Sequence, residues 1–180
     1  MCSPLRKKLP DFPWDALAPY GVKARKHPGG IIDLSQGTPV DPTPEFIQKV
    51  LAESANSPSY PTTAGTPELQ QAIRTWAISH LGISGEFDVL PVIGSKELVA
   101  WLPTFLQSQT VLYPKIAYPT YLVGAMLAQS NEIAVDIDAS QWPQADLAWV
   151  NSPANPTGRV HSEDELRAII QWSRKNQSVV

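Results

Sequence analysis

Hydrophobic residues are spaced along this chain in two ways. Phe46, Ile47, Val50 and Leu51 recur at helical intervals and predict a helix with one apolar face. Leu69, Ile73, Trp76 and Leu81 do the same after Thr66, which can cap that helix with Pro67 at its first position. Val89 to Ile93 is instead a short continuous apolar run and reads as a buried strand. Gly94-Ser95 turns it into a helix from about Lys96 to Leu106. Leu98, Val99, Trp101, Leu102 and Phe105 make that helix apolar on most sides, so it is expected to be buried. Pro103 inside it should kink the helix or remove its bond to Val99. Thr110 to Tyr113, Ile133 to Ile137 and Leu147 to Val150 read as further strands, and Pro119 opens a helix through Ala128. Ser162 with Glu165 spells a capping box, and Leu166, Ile169, Ile170 and Ser173 line the face of the helix it starts. Val179-Val180 reads as the first residues of one more strand.

Residues 1–30 have weak periodicity and many turn formers, which fits an arm with one short helix. Ile31 to Leu34 is a short extended segment, and residues 57–65 form a polar, proline-bearing loop. From residue 88 onward strands and helices alternate. That order predicts an α/β sandwich with a mainly parallel sheet. Ligands in such sheets sit outside the carboxyl ends of the strands, so the loops after strands are where chemistry is expected.

Composition narrows the function classes. The 180 residues suffice for one domain with a real core, and 43% hydrophobic against 17% charged is an ordinary globular balance. A net charge of -3 argues against a broad nucleic-acid footprint, and the basic run Arg6-Lys7-Lys8 reads as a solvated tail. Cys2 is the sole cysteine, which excludes an internal disulfide and suits a reducing, cytoplasmic setting. No apolar run follows the basic N-terminus, so no secretory signal is read, and no stretch approaches a membrane span. Asn176-Gln177-Ser178 matches a glycosylation sequon by chance. His27, His80 and His161 with Cys2 have no metal-ligand spacing.

Two junctions carry candidate chemistry. Gly94-Ser95-Lys96-Glu97 follows an apolar run and opens a helix, whose first N–H groups and positive dipole end make a natural phosphate seat. Read alone, it is equally an ordinary capped helix. Asn151-Ser152-Pro153-Ala154-Asn155-Pro156-Thr157-Gly158 follows a strand, and its prolines make a rigid loop that can hold the Asn155 amide still.

With these two, three more segments resemble the class I/II aminotransferases, fold-type I enzymes that use pyridoxal 5'-phosphate. Leu34-Ser35-Gln36-Gly37-Thr38-Pro39 is similar to an early family segment, and the resemblance implies that Gly37 contacts the substrate carboxylate through its backbone. Tyr60 to Leu69 resembles a segment whose tyrosine reaches the cofactor phosphate of the neighbouring subunit, which implies a homodimer. The resemblance further implies Ser95 and the Lys96 amide as phosphate ligands. Within Ala117-Tyr118-Pro119-Thr120-Tyr121 it implies that Tyr118, with Tyr121 second, stacks on the pyridine. Asn155 would donate to the cofactor's phenolic oxygen. Residues 60–67, 90–98 and 100–104, with Phe12-Pro13-Trp14-Asp15, resemble more closely the actinobacterial-type N-succinyldiaminopimelate aminotransferases of lysine biosynthesis.

The resemblance implies a three-layer large domain, truncated here. Residues 1–40 would be an arm with a small-domain segment, and residues 41–180 a partial cofactor-binding domain. The partners implied are an amino acid and a 2-oxo acid, with no nucleic acid and no membrane. Family chemistry also needs a lysine amine bonded to the cofactor. Lysines stand at 7, 8, 23, 26, 49, 96, 115 and 175, none in the family's S-x-S-K context, so no catalytic residue is assigned. The chain therefore reads as an N-terminal half, inactive alone. The other reading is a non-catalytic remnant, or half of a split protein, that binds phosphate or cofactor weakly or pairs with a C-terminal half.

Overall fold

A computed structural model of the chain describes residues 8–180. Cys2 and the Arg6-Lys7 part of the basic run lie outside the described residues. These form two compact units: Asp11–Pro91, and residues 8–10 with Val92–Val180.

The Asp11–Pro91 unit holds three helices, α1 (Pro13–Ala24), α2 (Glu45–Glu53) and α3 (Pro67–Leu81). The start of α3 follows from its sequence. Thr66 accepts a hydrogen bond from the Leu69 N–H at 3.2 Å, and Pro67 sits in the first turn, where its missing donor costs nothing. Gly82 ends the helix in the left-handed conformation (φ 66°) that favours glycine. Arg74 then ties α3 to the segment after it. Its guanidinium donates to the Phe87 carbonyl and lies 4.9 Å over the Phe87 ring. Little of this unit is buried; the apolar face of α2, with Phe46, Val50 and Leu51, is exposed.

Val89 to Ile93 is not a strand. No described strand pairs with it, and Ile93 is 93% exposed. An apolar run becomes a buried strand only where a neighbour completes the ladder, and among the described residues there is none.

The second unit is a three-layer α/β sandwich. Strands β1 (Thr110–Pro114), β2 (Asn131–Val135) and β3 (Leu147–Ala148) form a parallel sheet in the order β2-β1-β3. Val179 adds one parallel bridge to Leu147. The two strands flanking β1 are shorter or earlier than the apolar runs suggest, because pairing with β1 begins at Asn131 on one side and covers only Leu147 and Ala148 on the other. Alternation along the strands separates two clusters. Val111 and Leu147 face Ala125 on α5 (Thr120–Leu127), while Leu112 and Ala148 face Ile169 and Trp172 on α6 (Glu163–Asn176). The Asp146 carboxylate locks the strand starts together by accepting from the N–H groups of Gln109 (2.7 Å) and Thr110 (2.8 Å).

Two expectations about helix faces change. Helix α4 (Ser95–Phe105) is not buried on most sides: Pro103 is buried, but Trp101 and Phe105 are exposed. It packs along one side only, against α5 and the Val111 cluster. It continues through Pro103, which simply lacks the donor that would reach Val99. On α6 the capping box is present as read, with Ser162 and Glu165 bonded to each other's backbone N–H. The buried stripe, however, runs through Ile169 and Trp172, leaving Leu166 and Ile170 exposed.

Candidate functional site

Four of the sequence-predicted residues, Ser95, Lys96, Tyr118 and Asn155, fall in the α/β unit, at or beyond the ends of its elements. Ser95 and Lys96 form the first turn of α4, exposed, with Gly94 extended before them and no side-chain cap bond spent on the helix start. A helix start of this kind leaves its first N–H groups for an external acceptor. The start is held by the crossing of α4 on α5. A Cβ on Gly124 would lie 2.8 Å from the Ala100 carbonyl oxygen and 2.9 Å from that of Val99, so the helices touch backbone to side-chain-free backbone there.

Tyr118 precedes α5, half-buried. Its ring meets Tyr121 edge-on with centroids 6.1 Å apart, and Tyr121 in turn stacks on Trp149, at 5.1 Å and 28°. Burial, and next the Tyr118 hydroxyl, push the Tyr121 phenol above its ordinary value. Tyr121 is 8% exposed and serves as packing between Tyr118 and the sheet. Trp149 was not singled out from the sequence. The period-two alternation after Leu147 places it on the α5 side, and that was the available signal.

Two residues past Trp149 the loop begins. Asn151 accepts from the Asn155 N–H through its side-chain oxygen at 2.6 Å. The Ala154 N–H donates to the Arg159 carbonyl at 2.8 Å and Gly158 closes back on Ala154. Ser152-Pro153 and Asn155-Pro156 are both cis. The loop backbone is therefore fixed by its own bonds, while the Asn155 side chain is exposed and makes no hydrogen bond among the described residues. Asn151, unassigned in the sequence reading, is what holds Asn155 in place. The Asn155 side chain and the uncommitted Ser95 hydroxyl, with the Tyr118 ring, suit a flat, phosphorylated, hydrogen-bonding aromatic ligand. The residues present fit pyridoxal phosphate.

Tyr60 and Gly37 lie in the Asp11–Pro91 unit. Tyr60 is wholly exposed in its loop. Gly37 is exposed, and a Cβ there would meet open space, so local packing does not require glycine. Among the described residues no group of side chains could hold a metal ion, and no helix is long and apolar enough to cross a membrane.

The family model for class I and II aminotransferases matches residues 29–180. A protein of Mycobacterium tuberculosis described as a probable aminotransferase is 48% identical over 92% of this chain and 41% of its own length. The 4-dedimethylamino-4-oxo-anhydrotetracycline transaminase of Streptomyces rimosus is 42% identical over 97% of this chain and 50% of its own. Among solved structures, a probable N-succinyldiaminopimelate aminotransferase from Thermus thermophilus superposes with a TM-score of 0.78 at 28% identity, over 92% of this chain and 50% of that one. The chain spans about half the length of the curated relatives it matches.

Proposed function

Because the chain belongs to the class I and II aminotransferases, we propose that it supplies the cofactor-holding half of a pyridoxal-phosphate-dependent amino-transfer site. The observation that carries this reading is the loop after β3, where the backbone is fixed and the Asn155 amide is left unspent. When bound, pyridoxal phosphate supplies an electron sink for the carbon that loses or gains the amino group. The residues of this chain hold and tune it. Ser95 and the Lys96 amide, at the positive end of α4, take the phosphate. Tyr118 covers one face of the ring, backed by Tyr121 and Trp149. Asn155 donates to the phenolic oxygen. Tyr60 would reach the phosphate of a second subunit in a homodimer, and Gly37 would offer its backbone to the substrate carboxylate. In this reading Lys96 acts through its backbone, and the Lys115 amine is paired with Asp136.

For substrates we infer N-succinyl-L,L-2,6-diaminopimelate and 2-oxoglutarate, supported by the resemblance of residues 60–67, 90–98 and 100–104 and by the likeness to the Thermus protein. A second reading, a bulky cyclic ketone as amino acceptor, is favoured by the 42% identity to the Streptomyces transaminase. The test compares the 180-residue chain with the longest polypeptide that contains it, each given pyridoxal phosphate and 2-oxoglutarate. The longer protein forms glutamate from the succinylated donor and the 180 residues alone do not. Glutamate from the short chain at a similar rate, or none from the longer protein with any donor in a panel, contradicts the reading.

A further inference from the structure

Hydrogen bonds close the Asn155 loop across its two limbs. The Ala154 N–H donates to the Arg159 carbonyl at 2.8 Å, the Gly158 N–H to the Ala154 carbonyl at 2.6 Å, and the His161 N–H to the Ser152 hydroxyl at 3.0 Å. The outgoing limb continues from β3 and is fixed at that end. The return limb, residues 158–161, has only these bonds within the loop, so it needs an anchor of its own if Asn155 is to be held still.

That anchor is on α6. The Arg159 guanidinium donates to Glu165 Oε1 at 2.6 Å, while the Ser162 N–H donates to Glu165 Oε2 at 2.9 Å. Glu165 belongs to the first turn of α6, a helix seated on the sheet through the buried Ile169 and Trp172. An ordinary surface ion pair gains little, partly because two long side chains must be ordered to make it. Here the capping box has already fixed the Glu165 carboxylate, and only the Arg159 side chain remains to be ordered. The pair Glu163–Arg167 on the same helix differs in both respects. It runs along the helix between two well-exposed side chains and reaches no residue of the loop.

We propose that Arg159 and Glu165 are positioning residues for the cofactor, their ion pair mooring the return limb to α6 and so setting where the Asn155 amide meets the phenolic oxygen. The proposal rests on the reading of Asn155 as donor to that oxygen. Neither side chain touches the cofactor; both act through the loop backbone that ends at Arg159 and is bonded to Ala154, next to Asn155.

A double-mutant cycle on the full chain tests it, with pyridoxamine 5'-phosphate as the ligand. Calorimetry gives the affinity, and near-ultraviolet absorbance follows the bound ring, whose band responds to the hydrogen bond at its phenolic oxygen. Glu165→Gln keeps an acceptor for the Ser162 N–H but removes the charge facing Arg159. That variant and Arg159→Ala should each weaken binding about threefold and move the band toward its position in Asn155→Ala. In the Asn155→Ala background neither should change affinity or band any further. Arg159→Lys, which keeps the charge, should recover part of the loss, and Arg167→Ala should bind as the native chain does. If Asn155→Ala itself binds as the native chain does, the donor reading fails and takes the proposal with it. If Asn155→Ala weakens binding but the Arg159 and Glu165 variants do not, or weaken it equally in both backgrounds, or Arg167→Ala weakens it as much as they do, the donor reading stands and the proposal is overturned.

Discussion

Replacing Gly124 by alanine sets two effects of opposite sign against each other. Within a helix alanine is preferred over glycine by about 1 kcal/mol. Against that, the new Cβ would sit 2.8 Å from the Ala100 carbonyl oxygen, 2.9 Å from that of Val99 and 3.1 Å from the Ala100 Cα. All three are backbone atoms, so no change of rotamer relieves the contact, and α4 must move. Overpacking costs about 1–3 kcal/mol, and contact with three backbone atoms of α4 puts this case near about 3. The net is destabilisation of about 2 kcal/mol, or about 30-fold in the folding equilibrium. With a slope of about 2 kcal/mol/M, the urea midpoint should fall by about 1 M at unchanged slope, read by far-UV circular dichroism. Because α4 carries Ser95 at its start, phosphate-ligand binding should weaken in the same variant. An unchanged or raised midpoint would refute the close crossing of α4 on α5, and with it the account of how the Ser95 turn is held.

The α6 side offers independent tests. Ile169→Ala removes a side chain 1% exposed between α6 and the sheet and should cost about 2–5 kcal/mol in urea unfolding; Leu166→Ala, on the exposed face, should cost far less. Ser162→Ala removes the acceptor for the Glu165 N–H and should cost about 1 kcal/mol. The Glu165 carboxyl is held below its ordinary value of 4.5, first by the hydrogen bond from Arg159 and then by the Ser162 N–H. A lowered folded value means that its stabilisation is complete above about pH 4.5 and is lost as pH falls through the folded value. The stability gap between the native chain and Glu165→Gln should therefore be flat at neutral pH and narrow in acid; a gap that widens in acid would contradict the assignment.

What could be read from the sequence divides along physical lines. The capping box at Ser162 and the Thr66–Pro67 helix start are local devices, made by residues three apart, and both stand as read. The face of α6 is different. Leu166, Ile169, Ile170 and Trp172 are all apolar, and only the position of the sheet decides that the buried stripe runs through Ile169 and Trp172. Val89 to Ile93 has the composition of a strand, but a strand also needs a neighbour, which no property of five residues reveals. At the candidate site the loop around Asn155 was legible because its prolines and asparagines act within a few residues of one another. The stack of Tyr118, Tyr121 and Trp149 joins segments 28 residues apart, and the crossing at Gly124 depends on how two helices meet.

The most direct test of the central claim, that these residues form a cofactor cradle, is calorimetric titration of the chain with pyridoxamine 5'-phosphate. That ligand has no aldehyde and cannot condense with surface lysines, so its binding is non-covalent, and the Asn155→Ala comparison ties it to the cradle. Weak but saturable one-site binding is predicted, lowered about tenfold by Asn155→Ala with an unchanged urea midpoint. No saturable binding, or equal binding by Asn155→Ala, would contradict the account.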